Sequence, residues 1–132
     1  MTEAQFSSLI KKNIECHWCR VENMVSAGMP DANAASNGIE RWIELKIVKG
    51  NYLLFEWSQI NWFASRKKQG MNNVRVMARD NDAILLINAN DIERDDLYKK
   101  AHKAGLKIDD NLVFKKYYKP WDWKQISEDL FY

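Results

Sequence analysis

Two acids and a lysine in one short stretch are placed for hydrolytic chemistry. In GMPDANAASNGIERWIELK, Gly28 to Lys46, a Pro-Asp pair precedes an Asn-Gly turn, and a glutamate and a lysine then stand two residues apart in an apolar run. Asn37-Gly38 between two extended segments predicts a β-hairpin. With Asp31 at the start of one arm and Glu44 in the other, the carboxyls can converge at one sheet edge. Carboxylates that close repel, and one takes up a proton unless a cation lies between them. Mg²⁺ suits that place, with Mn²⁺ as a substitute, because it is held by one or two carboxylates plus waters and phosphate oxygens. Side chains alternate along a strand, so Trp42, Glu44, Lys46 and Val48 share a face. Lys46 would offer positive charge to a phosphate and to the attacking water. A divalent ion lowers the pKa of the water it binds, so phosphodiester attack needs no histidine. His17 and His102, the only two, are badly placed to serve as bases.

Each half also has an ordinary reading. Glu-x-Lys on an exposed strand is usually a solvated pair of small value, and Pro-Asp is a common turn opening. The conjunction at hairpin spacing is the stronger signal. Cys16 and Cys19 form CHWC, but no second CxxC exists, so small buried thiols are expected rather than a zinc or redox site.

The elements that must position these residues follow from pattern. Thr2 with Gln5 three residues on is a capping box, and Phe6, Leu9, Ile10 and Ile14 recur at helical spacing, so a helix is expected from Glu3 to Ile14. Glu3 falls on its inward face, where a carboxylate also suits the first helical turn. CRVENMV reads as a strand, IERWIELKIV as the clearest strand, and LLFEW as a short extended piece. Ser58 is the expected N-cap of a helix ending at Gly70. VRVMAR and AILLI read as strands around a DND turn, and a second long helix is expected from Asp91 to Ala104. The aromatic tail VFKKYYKPWDWKQISEDLFY should end in a short helix after Pro120. This order predicts a single α/β domain with a central mixed β-sheet flanked by helices. A core over 1–90 would carry a helical and aromatic extension over 91–132 of the same domain.

With 132 residues and mixed charge the chain fits one domain, neither disordered nor fibrous. No apolar run approaches a membrane span and the polar start is no signal peptide, so a cytoplasmic protein is expected. The net charge is only +2, yet basic residues cluster at Arg66-Lys67-Lys68, at Lys99, Lys100 and Lys103, and at Lys115, Lys116 and Lys119. Such clusters are commonly solvated faces, and three of them also leave room for a phosphate-tracking surface.

Pro30-Asp31, twelve residues, then Glu44-Leu45-Lys46 resembles the PD-(D/E)xK nuclease signature. TEAQF is similar to the opening helix whose glutamate joins the metal site in several branches. Gly28 before the Pro-Asp pair, and Gln59 leading the helix in SQINWFASRKKQGMNNVRVMAR, resemble the virus-type replication-repair branch and archaeal-type Holliday junction resolvases. The likeness covers roughly Glu3 to Ile87. It implies a restriction-endonuclease-like core, with Asp31 and Glu44 as metal ligands and the Leu45 carbonyl and Glu3 as further ones. It also implies a catalytic Lys46 supported by Gln59. Ala32 departs from the larger apolar residue common there, which touches packing rather than chemistry.

The implied activity is Mg-dependent, structure-selective DNA cleavage, with Holliday junction resolution by a homodimer as the leading form. Lys12, Lys49, Arg66, Lys67 and Lys68 are the candidate DNA contacts. No helix-turn-helix or zinc finger is present, so shape and phosphate contact would guide recognition. No small-molecule cofactor or membrane partner is expected, and a bacterial or phage-infected cell would suit the economy of the chain. Flap, nicking or restriction and repair nucleases remain open. So do a non-catalytic DNA-binding module on the same fold and a purely structural dimer. Trp18, Trp42 and Trp62 are expected to pack. Trp42, on the face of Glu44 and Lys46, could instead stack on a base.

Overall fold

The structure, a computed structural model, describes residues 1–21, 26–93, 104–108, 112–113 and 115–132. Its elements are α1 (Glu3–Asn13), β1 (His17–Arg20), β2 (Ala32–Ser36), β3 (Ile39–Ile47), β4 (Tyr52–Phe55), α2 (Trp57–Lys68), β5 (Val74–Asp80) and β6 (Ala83–Asn88). A single 3₁₀ turn (Ala89–Asp91), β7 (Ala104–Lys107), β8 (Lys115–Tyr118) and α3 (Trp123–Phe131) follow. Six strands form the central sheet in the order β1-β2-β3-β5-β6-β8, and β4 pairs with β7 in a second, two-stranded sheet. Only the β3–β5 contact of the central sheet is parallel. The mixed sheet flanked by helices is the architecture expected from sequence.

Local chemistry explains the elements nearest the candidate site. Thr2 caps α1 reciprocally with Gln5, through bonds of 2.8 and 3.1 Å. This fixes where the helix begins, and hence where Glu3 stands. Asn37 and Gly38 take φ of 50° and 81°, the paired left-handed geometry that a tight hairpin turn requires. The strands of that hairpin stay paired as far as Ala32 and Ile43.

Each face of the sheet has its own core. On one face α1 and α3 bring Phe6, Ile10, Leu130 and Phe131 onto Ile43 and Leu45. On the other, α2 brings Ile60 and Phe63 onto Val76, Leu85 and Ile87, together with Leu53 of β4. Among the described residues no helix is long and apolar enough to cross a membrane.

Several boundaries differ from expectation. The N-cap of α2 is Glu56 and not Ser58, because the Gln59 side chain folds back to accept the Glu56 N–H at 3.0 Å. The expected helix from Asp91 to Ala104 fits at neither end: Asp91 closes a 3₁₀ turn and Ala104 begins β7, with 94–103 outside the described residues. The CRVENMV strand is shifted, since β1 is His17–Arg20 and 22–25 lie outside the described residues. Cys19 is exposed rather than buried, because β1 is an edge strand and Cys19 lies opposite the face that holds Trp18. The tail supplies an unexpected edge strand, β8, before its expected terminal helix. That helix is anchored by a Tyr117 hydroxyl bond to Asp129 and by Arg41 donating to the Leu130 carbonyl.

Because Phe131 is fully buried in the core shared with β3, Phe131→Ala should destabilise the protein by about 3–5 kcal/mol. Urea unfolding followed by circular dichroism measures this, and a loss below about 1 kcal/mol would mean the tail packs only loosely.

Candidate active site

The site is made where β2 and β3 part. Alternate residues of β3 point their backbone groups to β5: Trp42 N–H donates to the Asn73 carbonyl and Val48 N–H to that of Arg79, each at 2.9 Å. Leu45, on the intervening set, turns its N–H and C=O toward β2. Strand pairing has stopped there, and the Asp31 carboxylate takes the vacant place, accepting the Leu45 N–H at 2.8 Å through Oδ2. The Leu45 carbonyl opens on the same gap.

Glu44 and Lys46 face α2 from β3, at 1 % and 9 % exposure. Gln59 joins them. Its Nε2 donates to Glu44 Oε1 at 3.0 Å, while its Oε1 accepts from Lys46 Nζ and from the Glu56 N–H, both at 3.0 Å. Only one orientation of the amide satisfies all three partners, so Gln59 locks the acid and the base in register. Lys46 Nζ lies 3.9 Å from Glu44 Oε1 and 4.9 Å from the centre of the Phe55 ring. This is a desolvated ammonium held in place, unlike a solvated surface lysine.

The other oxygen of Glu44 carries the most information. Glu44 Oε2 is buried and no donor faces it. Burial, then the charge of Asp31 and the close approach of its carboxyl, push the Glu44 carboxyl up to about 9, against the opposing pull of Lys46. A proton shared between Glu44 and Asp31 would satisfy the orphaned oxygen, and so would a cation. The donors at hand are carboxylate and carbonyl oxygens, which suit a hard ion such as Mg²⁺ or Mn²⁺. The residues therefore fit a divalent ion held by Asp31, Glu44 and the Leu45 carbonyl.

Glu3 does not face inward as expected: it is exposed at the start of α1, whose buried residues are Phe6, Ser7 and Ile10. Its carboxyl is pushed up by partial burial and by Asp31, and pulled down by Lys46, Arg20 and Lys49. It thus belongs to the same electrostatic group. However, no three His, Cys, Asp or Glu side chains among the described residues come close enough to hold an ion jointly. Lys49 acts on the Glu3 carboxyl, as does Arg20, which sequence reasoning missed. Lys12 is exposed in the last turn of α1, about 14 Å along the helix from Glu3. Arg66 lies seven residues from Gln59 on the same stripe of α2. Lys67 pairs with Glu93 at 3.2 Å, and with Lys68 it lines a cleft beside Ala89 and Ile92.

Gly28 has a role that the sequence only hinted at. It takes φ of 83°, and a Cβ there would meet the Ser58 carbonyl oxygen at 2.0 Å. The loop carrying Pro30 and Asp31 thus rests directly on the first turn of α2, the turn that carries Gln59.

A mixed sheet whose strands part at Asp31, with Glu44 and Lys46 on the neighbouring strand, is the restriction-endonuclease-like fold expected from the sequence. Among solved structures the chain is similar to the Holliday junction resolvase Hjc of the archaeal hyperthermophile Archaeoglobus fulgidus. The two share 18% identity and a TM-score of 0.55, over 83% of this chain and 86% of the other. The chain has that fold. No protein-family model matches the sequence, and no curated protein matches it.

Two outcomes follow from this geometry. Gly28→Ala should lower the melting temperature and abolish divalent-ion stabilisation, since the loop must lift off α2 and carry Asp31 away from Leu45. Retained ion stabilisation in that variant would show the contact to be dispensable. The second outcome concerns pH. With its carboxyl raised in the folded state, Glu44 holds a proton that the unfolded chain gives up above about pH 4.5, so metal-free stability falls as pH climbs toward about 9. Thermal melts in EDTA from pH 5 to pH 9 should show this fall, and Glu44→Gln should flatten it. Mg²⁺ should raise the melting temperature more at pH 8 than at pH 5. Equal slopes in both proteins would place the titration elsewhere.

Proposed function

We propose that the protein is a Mg²⁺-dependent endonuclease that hydrolyses phosphodiester bonds in branched DNA, with the Holliday junction as its substrate. The observation that carries this reading is the buried Glu44 oxygen without a donor, set beside Asp31 and within reach of a clamped Lys46. A solvated Glu-Lys pair would need neither the burial nor the glutamine lock. When bound, the divalent ion supplies Lewis-acid polarisation of a phosphate oxygen and an acidified water. The chain's own residues do the rest. Asp31, held by the Leu45 N–H, would hold the ion together with Glu44, whose Oε1 is held by Gln59. Lys46, already desolvated, donates to a non-bridging phosphate oxygen and stabilises charge that develops during attack. Mn²⁺ would substitute for Mg²⁺.

The substrate rests on the likeness to a junction resolvase and on symmetry. A four-way junction is two-fold symmetric, and a homodimer would set two identical sites on it. Lys49 and Arg20, which act on Glu3, would meet the phosphates flanking the cut. The protein would act on cellular or phage DNA in the cytoplasm.

Incubation with end-labelled four-way junction, flap, single-stranded and linear duplex DNA in Mg²⁺ or EDTA tests this. Paired symmetrical nicks should appear in the junction and vanish in EDTA. Asp31→Asn and Lys46→Ala should each lower the rate by about 10²–10⁴-fold, and Gln59→Ala by about 10–100-fold. Cleavage spread across all substrates would keep the hydrolysis and remove the junction. No cleavage of any DNA would overturn the nuclease.

A further inference from the structure

The face of β3 that carries Glu44 and Lys46 also carries Trp42, one pleat repeat earlier and about 7 Å along the strand. Helix α2 runs back along that face. Gln59 meets Glu44 and Lys46, and Trp62 meets Trp42 edge-on with centroids 5.8 Å apart. The Arg66 guanidinium then lies 4.4 Å from the Trp62 centroid and 5.9 Å from that of Trp42. Residues 59, 62 and 66 recur at helical spacing, so a continuous stripe leads from the acids to two indoles topped by a cation.

This stripe lies at the rim of the core: Trp42 and Trp62 pack against its edge without being buried in it. The next residue of α2, Phe63, is driven under the helix, whereas Trp62, Trp42 and Arg66 all stay partly exposed. Among the described residues no carboxylate pairs with Arg66. Alternation along β2 puts Asn33 beside Trp42 and leaves Ala32 and Ala34 for the opposite core. A short side chain there leaves room for a ligand to approach the rings. Glu40, exposed on the same face two residues beyond Trp42, closes the stripe to further phosphates.

We propose that Trp42, Trp62 and Arg66 form a stacking ledge for an unpaired base of the strand whose phosphate is held at Asp31, Glu44 and Lys46. The inference rests on the nuclease reading above and gives it a source of branch selectivity. In duplex DNA the base faces are covered by their neighbours. At a branch an unstacked base can lie on an indole or on the plane of a guanidinium. Trp42 stands about 7 Å along the strand from Glu44, so the base lies within about two nucleotides of the cut phosphate.

The test reads stacking apart from cleavage. Four-way junctions and fully paired duplexes carry 2-aminopurine at single positions within two nucleotides of the branch, or at matched duplex positions. Each is titrated with protein in Ca²⁺. The junction probes should be quenched and the duplex probes should not. Trp42→Leu and Trp62→Leu, which keep apolar volume, should lose the quench and bind junctions about 5- to 150-fold more weakly, with duplex affinity unchanged. Trp42→Phe should retain the quench. Arg66→Gln, outside the core, should weaken junction binding in the same selective way, so the ledge stays falsifiable if a tryptophan variant fails to fold. Equal losses for junction and duplex, or full quenching with Trp42→Leu, would overturn the ledge. Absent quenching in protein that still nicks junctions would remove the ledge and keep the nuclease, and quenching without nicking would do the reverse.

Discussion

The structure turns on the bond between the Leu45 N–H and the Asp31 carboxylate. A strand that loses its neighbour exposes backbone donors and acceptors which must find other partners. Here the neighbour leaves after Ala32 and Ile43, and a side chain closes one half of the vacancy. The same substitution sets a charge beside the opened Leu45 carbonyl and next to Glu44. A local failure of strand pairing is thus converted into a cluster of oxygen atoms. Moving Asp31 by one residue would put its carboxylate on the wrong side of the strand. The loop through Gly28, seated on the Ser58 carbonyl, holds that register from the outside.

Burying Glu44 and Lys46 costs on the order of several kcal/mol per ion unless partners replace their water. Gln59 is the partner for both, and Glu56 in turn fixes Gln59. A glutamate in place of Gln59 would oppose Glu44, and a smaller residue would strand two buried groups. The amide is the one chemistry that donates to the acid and accepts from the ammonium at once. Its presence also explains why α2 begins at Trp57 and not after Ser58. The side chain that serves the site doubles as the start signal of the helix.

What the sequence disclosed was mostly local. The hairpin at Asn37-Gly38, the Thr2–Gln5 box and the alternation of β3 each depend on residues within a few positions, so Asp31, Glu44 and Lys46 could be placed on one edge before any coordinates. The misses involve distant partners. Tyr52 pairs with Lys107 in a sheet that no short pattern announces, and β8 finds β6 through Ile84 and Tyr117. Arg20 acts on Glu3 only because β1 is folded beside β2. Trp62 was expected only to pack and Arg66 only to meet phosphate, because their contact with Trp42 depends on which strand the helix crosses. Ser58 misled because cap preference is weaker than the recruitment of Gln59.

The two faces of the sheet divide the work. Ile43 and Leu45 point into the core closed by α1 and α3, while Trp42, Glu44 and Lys46, alternating with them, point to α2. Every residue that anchors β3 from behind is therefore adjacent in sequence to one that acts in front. Fully burying a large apolar side chain contributes about 1.5–3 kcal/mol, so Ile43 and Leu45 together can offset much of what Glu44 and Lys46 cost. The terminal helix, remote in sequence and on the far face, is part of that balance through Leu130 and Phe131. Apolar packing thus lies on one side of a single strand and the buried Glu44–Gln59–Lys46 cluster on the other, and the period of two that separates them is a property of the β-strand itself.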